Sequence, residues 1–238
     1  MCKLKSGIIL KDDIFIPNYN DHTGMLKALK IEDTSANAET LFVRAELSPA
    51  NGDIFANPAT WNFYVDQDIR PAWFVEEYER KRFVAAVMKW WESHVFIEKD
   101  DLELLPGEAY WLKACKRVTC HSGTAEAFDS STVRAFGRST VKAIGSSKVT
   151  AYGSSKVEAF DSSTVKAFDS STVEAYGSST VEASGSSTVI IPSLSSNCRE
   201  NILVLERSTL IDHKTRTVWG SREYRWAASE DVLPGAAA

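Results

Sequence analysis

Apolar and polar residues alternate in the middle of the chain, in short runs that restart every eight residues. From 124 to 189 the sequence repeats an octapeptide, as in TVKAFDSS and TVEAYGSS, without insertion. An apolar anchor starts each run, and an alanine follows two positions later in nearly every copy, with a mostly charged residue between them. This period-two alternation predicts short β-strands with one buried face. The anchors are Ala125, Val133, Val141, Val149, Val157, Val165, Val173, Val181 and Val189.

A corner position follows each predicted strand and holds only glycine or aspartate. Glycine enters left-handed backbone conformations freely and aspartate tolerates them, so this position predicts a tight turn. A flexible linker rich in serine and glycine has a similar composition, but it has no reason to keep valine, alanine and an aromatic residue in register. The corner residues are Asp129, Gly137, Gly145, Gly153, Asp161, Asp169, Gly177 and Gly185.

Short strands and corners in constant phase predict a mainly β fold, a parallel β-solenoid of octapeptide repeats. The valine, the alanine and the second serine of each repeat are expected to point inward. One octapeptide is too short to close a coil, so two repeats are expected to form one coil of about 16 residues. Such a coil stacks Asp161 on Gly145 and Gly177, whereas a coil of one repeat would stack it on Asp169 and bring like charges together. A coil of three repeats also avoids this repulsion and stays open as an alternative.

The segments beside the array predict two further parts of the molecule. Residues 1–112 are expected to form an α+β N-terminal capping domain, with the solenoid at 113–190 and a β C-terminal cap with its tail at 191–238. The cap is needed because open strand edges of a solenoid template aggregation. A polar stretch between apolar flanks at 208–220 predicts a hairpin within it.

The N-terminal segment mixes strand-like and helical patterns. Strands are predicted near 7–10, 41–47 and 62–65, and a short helix at 24–31. Asp21 and Thr23, on either side of His22, are typical of a helix start. A long helix is predicted to begin near Pro71, since proline suits a first turn. Its apolar stripe consists of Val84, Val87, Met88, Trp91 and Val95.

Composition and charge exclude several classes of protein. The formal charge of −5, from 27 Lys and Arg against 32 Asp and Glu, argues against a nucleic-acid partner. The 4 cysteines are too few and too scattered for a disulfide framework. No apolar run approaches the roughly 20 residues that span a bilayer, and the start of the chain is not a signal peptide. We therefore expect a soluble cytoplasmic protein with no membrane partner.

Candidate chemistry is sparse along the chain. Cys115, Cys120 and His121 have the only metal-like spacing, but a structural zinc site needs four ligands and Cys198 lies at the far end of the array. Small buried cysteines are the simpler interpretation, so no metal and no cofactor are expected. No phosphate-binding loop, nucleophile elbow or HExxH motif occurs, and no catalytic residue is predicted.

One ligand pocket is predicted in the N-terminal domain, just before the long helix. Two acids, a base and an aromatic side chain lie close together there in sequence. Carboxylates act in catalysis only where they converge in a pocket, which sequence proximity does not establish. The candidates are Asp66, Asp68, Arg70 and Trp73.

Large side chains follow the alanine of nearly every repeat, and the solenoid is expected to stack them into two ladders. They either fold over the corners or remain exposed as an interaction surface, because monomers rarely leave large apolar patches open. The charged residues between valine and alanine have mixed signs, which favours ladders of ion pairs between coils. The ladder positions predicted to bind a partner are Phe128, Phe136, Tyr152, Phe160, Phe168 and Tyr176.

The segments STVEA and STVKA resemble the STxTA segments of bacterial ice nucleation proteins. That resemblance covers 124–189 and implies a solenoid with two octapeptides per coil and stacked tyrosines. The ice-facing Thr-x-Thr pair of that family is absent, because Glu, Lys or Arg replaces its second threonine everywhere except Thr150. The whole chain, with KLKSGIILKDDIFIP and VDQDIRPAWFVEEYE before the array, resembles a group of gut-bacterial and prophage octapeptide-repeat proteins. This second resemblance implies a mobile-element setting and no particular activity.

These observations predict a non-catalytic binding protein. The solenoid would engage a protein partner or a second copy of the chain, and in a phage setting it would inhibit a host system. One alternative is a small-ligand-binding or enzymatic N-terminal domain with the solenoid as its scaffold. Another alternative is attachment to ice or to a glycan surface.

Overall fold

The computed structural model of the protein describes residues 5–192, 201–213, 217–220 and 223–225. The chain divides into two compact units, Met1–Val95 and Phe96–Ala238. The division lies before the boundary expected near 112, because the strands between 95 and 113 pair with the first repeats. They belong to the solenoid unit.

The N-terminal unit is an α+β structure built on a four-stranded antiparallel sheet. The strand order is β2-β1-β3-β4. The strands are β1 (Lys5–Leu10), β2 (Ile14–Phe15), β3 (Phe42–Ser48) and β4 (Asn62–Val65). The helices are α1 (His22–Ala28), α2 (Ser35–Thr40), a 3₁₀ turn at Pro58–Thr60 and α3 (Glu76–His94).

Both faces of this sheet are covered by apolar packing. Ile8 and Phe42 form a buried cluster with Met25 and Leu26 of α1. On the opposite face Phe83 of α3 packs edge-on against Phe63 of β4, with ring centroids 5.7 Å apart. The sheet therefore lies between α1 and α3.

The helices differ from the sequence prediction in their ends and in one buried face. Asp21 caps α1 as expected, since its carboxylate accepts hydrogen bonds from the amides of the next helical residues. The prediction that α3 begins near Pro71 is wrong, because residues 71–74 form a turn closed by a hydrogen bond from the Phe74 amide to the Pro71 carbonyl.

The buried face of α3 is also displaced from the predicted stripe. Phe83, Val87 and Trp90 are buried, whereas Val84 and Met88 line a groove of about 460 Å³ on the helix surface. The residues of the predicted stripe and the residues that are buried both recur at helical spacing. The large aromatic rings remove more apolar area from water, so they occupy the side that faces the sheet.

The second unit is a parallel β-solenoid made of two facing sheets. The strands of successive repeats alternate between the two sheets, one of nine strands and one of eight. Val133 pairs with Val149, and Val149 pairs with Val165. Each coil therefore contains two repeats, which confirms the predicted solenoid and excludes the alternative of three.

The first strands of the solenoid are β5 (Val95–Ile97), β6 (Glu103–Leu104), β7 (Ala109–Lys113) and β8 (Val118–His121). The repeats form β9 (Thr124–Phe128), β10 (Thr132–Phe136), β11 (Thr140–Ala143), β12 (Lys148–Ala151), β13 (Lys156–Ala159), β14 (Thr164–Ala167), β15 (Thr172–Ala175), β16 (Thr180–Ala183) and β17 (Thr188–Ile191). The last strands are β18 (Ile202–Leu205), β19 (Thr209–Asp212), β20 (Thr217–Gly220) and β21 (Glu223–Arg225).

The interior of the solenoid is a narrow column of small side chains. The anchor valines, the alanines and the second serine of every repeat are buried, as the sequence predicts. The Ser139 hydroxyl donates to the carbonyls of Phe136, in its own corner, and Cys120, in the preceding coil, and it accepts from the Ser122 amide. Buried serines of this kind satisfy backbone groups at the corner that the strands leave without partners.

All eight corner residues have the predicted left-handed backbone, with φ between 55° and 73°. The Asp161 carboxylate accepts a hydrogen bond from the Gly145 amide one coil earlier, at 3.0 Å. Asp169 makes the same contact with Gly153 at 2.9 Å. Both aspartates thus bond to the amide of the glycine one coil earlier, which joins the two coils at the corner.

The C-terminal part continues and then closes the two sheets. Strands β18 and β19, which the sequence assigned to the cap, extend the parallel ladders. β20 pairs antiparallel with β19, which confirms the predicted hairpin, and β21 pairs antiparallel with β18. The tail after 225 lies outside the described residues. No helix of the described chain is long and apolar enough to cross a membrane.

We expect Val157→Asp to unfold the coils around it. Val157 is 1% exposed in the interior column, and a buried charge without a partner costs about 3–5 kcal/mol. Glu158→Gln is the matched control, since it removes one exposed ion pair worth about 0–1 kcal/mol. Thermal unfolding followed by circular dichroism compares the two variants. Equal melting temperatures would contradict the inward register of the valine.

We expect Gly185→Ala to destabilise the solenoid more than Gly107→Ala does. Both glycines have positive φ, 73° and 79°, so each variant pays about 1–2 kcal/mol of left-handed strain. A Cβ at Gly185 would also lie 2.9 Å from the Asp169 amide nitrogen, whereas one at Gly107 meets nothing within 4 Å. This overlap adds about 1–3 kcal/mol, measurable by urea unfolding. A larger loss for the Gly107 variant would contradict the tight corner stack.

Candidate functional site

The side chains that follow the alanines stack into two ladders, one beside each sheet. Ladder 1 belongs to the eight-stranded sheet and consists of His121, Phe136, Tyr152 and Phe168. Successive ring centroids lie 5.3, 5.0 and 5.2 Å apart, with interplanar angles between 8° and 18°. The register of two repeats per coil produces this spacing, because each coil places its ring above the ring of the coil before it.

Ladder 2 follows the nine-stranded sheet and consists of Phe128, Ile144, Phe160 and Tyr176. The rings of Phe160 and Tyr176 stack at 4.7 Å with an interplanar angle of 8°. The Tyr176 hydroxyl donates a hydrogen bond to the Glu174 carboxylate at 2.8 Å. Burial, this hydrogen bond and the nearby carboxylate charges raise the pKa of Tyr176 to about 12.

The aromatic residues of both ladders are half-buried, apart from the exposed His121. The rings are therefore partly covered and partly accessible to solvent. In ladder 1, face-to-face stacking covers the flat sides of the inner rings of Phe136 and Tyr152, so these rings present their edges outward.

The charged positions of the array form ion pairs between successive coils. Lys142 Nζ lies 3.5 Å from Glu158 Oε2 on one sheet, and Lys166 Nζ lies 2.8 Å from Glu182 Oε2 on the other. Ion pairs between coils are therefore present, as the mixed signs predict, but the column that contains Glu158 also places it beside Glu174. Each sheet thus has an outer surface of threonine, charged and aromatic columns at a constant spacing.

The four residues of the predicted N-terminal pocket have different surroundings. Asp66 lies beside His22, and Asp68 lines a groove of about 300 Å³ together with Arg44. The Arg70 guanidinium pairs with Glu76 at 2.7 Å. The Trp73 indole donates to the carbonyl of Thr40 at 2.8 Å. Only the groove beside Asp68 and the contact of Asp66 therefore bear on ligand binding.

The cysteine and histidine spacing near the first coil does not bring three ligands together. Cys115 and Cys120 are buried in the solenoid interior, as the sequence favours. His121 points outward and stacks on Phe136 in ladder 1. Neighbouring residues of a strand face opposite sides, so Cys120 and His121 diverge. Cys198 lies outside the described residues.

A cluster of His22, Glu46 and Asp66 is present in the N-terminal unit. One nitrogen or oxygen atom of each residue lies within 4.8 Å of the others. His22 Nδ1 is 3.2 Å from Asp66 Oδ2, and His22 Nε2 is 3.4 Å from the Ala45 carbonyl. The sequence predicts Asp66 as a pocket residue and places His22 at a helix start, but it does not indicate Glu46. Its polar position in a strand between buried residues was the available signal.

Lys5 is a buried base in the same unit. It is 2% exposed, its ammonium group lies 4.2 Å from the centroid of the Trp90 ring, and it donates to the Pro17 carbonyl. Burial lowers the pKa of Lys5 to about 7. The uncharged amine is therefore the favoured form of this side chain above neutral pH.

We expect the unfolding free energy to rise with pH between about 7 and 10.5 through Lys5. In this range the unfolded chain keeps a proton that the folded chain has lost, since the usual pKa is 10.5 and the folded one is about 7. The slope approaches about 1.4 kcal/mol per pH unit, and the destabilisation is complete below pH 7. Lys5→Met is the control, because it lacks the titrating group. Equal slopes for both proteins in urea unfolding would contradict the buried amine.

Comparison of the chain with protein-family models, with curated proteins and with solved structures finds no match. The two resemblances of the sequence therefore stay predictions. The function of the chain is therefore inferred from the geometry of the ladders and of the N-terminal cluster.

Proposed function

We propose that this chain is a non-catalytic binding protein whose solenoid engages another protein or a second copy of itself. The observation that carries the proposal is the pair of half-buried aromatic ladders in constant register. They place large apolar side chains in one line along each sheet edge. Aromatic residues are enriched where proteins bind one another.

The orientation of the rings favours a protein over a nucleic acid or a glycan. Bases of single strands stack on free aromatic faces. In ladder 1 the faces of Phe136 and Tyr152 are covered by neighbouring rings, so the edges are what a partner meets. An apolar strip of ring edges fits side chains of another protein.

The stiffness of the support strengthens this proposal. Backbone hydrogen bonds join each coil to the next, and serine hydroxyls and corner carboxylates add further bonds at some of the corners. A surface that is already ordered loses little conformational entropy on binding. Charged columns beside the ladders would set the register and the choice of partner.

The setting of the protein is part of the same proposal. The resemblance to prophage proteins supports a role as an inhibitor of a host system. The buried thiols of Cys115 and Cys120 are not joined in a disulfide, which fits the reducing cytoplasm.

We expect the triple variant Phe136→Ser, Tyr152→Ser and Phe168→Ser to lose association. Removing the rings deletes the apolar strip of ladder 1, and loss of one interface hot spot alone weakens binding by about 30-fold. Sedimentation velocity of the full chain measures self-association. A pull-down from the native host measures capture of a partner.

The matched variant replaces Phe128, Phe160 and Tyr176 by serine in ladder 2. It carries the same chemical change on the other sheet, so a difference between the variants identifies the ladder that binds. Circular dichroism of both variants separates lost binding from lost folding. Unchanged association and capture in two folded variants would mean that the ladders only pack the corners, and the proposal would fail.

A further inference from the structure

The cluster of His22, Glu46 and Asp66 arises from three separate elements. His22 is the first residue of α1, Glu46 lies in β3, and Asp66 directly follows β4. Glu46 pairs with Tyr64, and the Asp66 amide donates to the Arg44 carbonyl. Both acids therefore lie on one face of neighbouring strands, at diagonal positions within reach of each other.

The orientation of the imidazole prepares one nitrogen for a cation. His22 Nε2 lies 3.4 Å from the Ala45 carbonyl and Nδ1 lies 3.2 Å from Asp66 Oδ2, and both oxygens can only accept a hydrogen bond. A neutral imidazole has one proton for these two acceptors. With the proton toward Ala45, Nδ1 faces the Asp66 oxygen with its lone pair. Two acceptors at this distance repel each other unless a proton or a metal ion lies between them. A backbone carbonyl that fixes the far nitrogen is the usual support of a metal-bound histidine.

The charges around the cluster also favour the binding of a cation. Within the described part of the chain, neither Glu46 nor Asp66 forms an ion pair with lysine or arginine. Arg44, on the same strand as Glu46, pairs instead with Asp33. Two carboxylates held together without a basic partner favour a cation.

We propose that His22, Glu46 and Asp66 bind a divalent transition-metal ion of the Zn²⁺ or Mn²⁺ type. One imidazole nitrogen and two carboxylate oxygens suit these ions, whereas Mg²⁺ and Ca²⁺ prefer oxygen ligands alone. The side chain of His22 is 10% exposed and that of Asp66 is 61% exposed, so the histidine side of the site is buried and the Asp66 side is open to solvent. Water completes the coordination from the open side. This site is independent of the function proposed for the solenoid.

A purely structural role for the same residues makes a different prediction. A protonated His22 paired with Asp66 would hold α1 on the sheet and would not need Glu46. Such a salt bridge would bind no metal, whether or not Glu46 is present. The proposed site instead binds the metal and loses one of its three ligands when Glu46 is replaced.

Isothermal titration calorimetry of the full chain after EDTA treatment tests the site, with ZnCl₂, MnCl₂ and MgCl₂ as separate titrants. Cys2 and Cys198 are replaced by serine in every protein, so that these thiols do not compete for zinc. We expect one equivalent of Zn²⁺ or Mn²⁺ to bind. Glu46→Gln should weaken binding by at least about tenfold, since even partners outside the ligand shell contribute that much.

Glu39→Gln is the matched control, because it makes the same chemical change at an exposed carboxylate outside the cluster. It should bind the metal as the parent protein does. Ring signals of His22 in NMR spectra should shift on addition of Zn²⁺, in the parent and in the control variant. No binding of either transition metal, or equal affinity in the Glu46→Gln and parent proteins, would overturn the proposal. A Glu46→Gln protein that is unfolded by circular dichroism is replaced by Asp66→Asn, to which the same criterion applies.

Discussion

Parallel pairing of each coil with the next, in a register of two octapeptide repeats, is the interaction on which the rest of the solenoid depends. It places most anchor valines above valines, as in the pairs of Val133 with Val149 and Val149 with Val165, whereas Val141 pairs with Ala125. Within the array the interior consists of small side chains, so apolar burial alone supplies less stabilisation there than it does in a core of large side chains. Serine hydroxyls and corner carboxylates add hydrogen bonds between coils at the points where the strands end.

The same register produces the outer surface. A side chain that occurs once per octapeptide forms two lines, because alternate repeats belong to opposite sheets. Lysine and glutamate meet at successive coils in two places, whereas Glu158 lies beside Glu174, and rings meet rings at about the spacing of the strands. The ladders are thus a consequence of a pairing that also stabilises the fold. Their half-exposed edges are what the proposed binding function adds to this structural role.

The N-terminal unit follows a different principle. Its sheet is covered on both faces, and the side chains of interest come from elements far apart in sequence. His22 and Asp66 meet because α1 lies over the face to which β3 and β4 contribute their acids. Lys5 is buried beside Trp90 of α3 for a similar reason. In this unit the packing of helices on the sheet brings the polar side chains together. On the solenoid the repeat places them.

The sequence by itself determined the strands, corners and inward positions of the array, because a strict repeat imposes the same local geometry on every copy. It also predicted the ladders and the ion pairs, because both follow from the constant phase of the octapeptide repeat. It left the coil length open between two and three repeats, since the charge pattern satisfies both, and only strand pairing decided it. Tertiary structure also decided where α3 begins, which face it buries, and that Glu46 joins His22 and Asp66. These contacts join residues far apart in the chain, and a local pattern of polar and apolar positions does not indicate which distant residues come together.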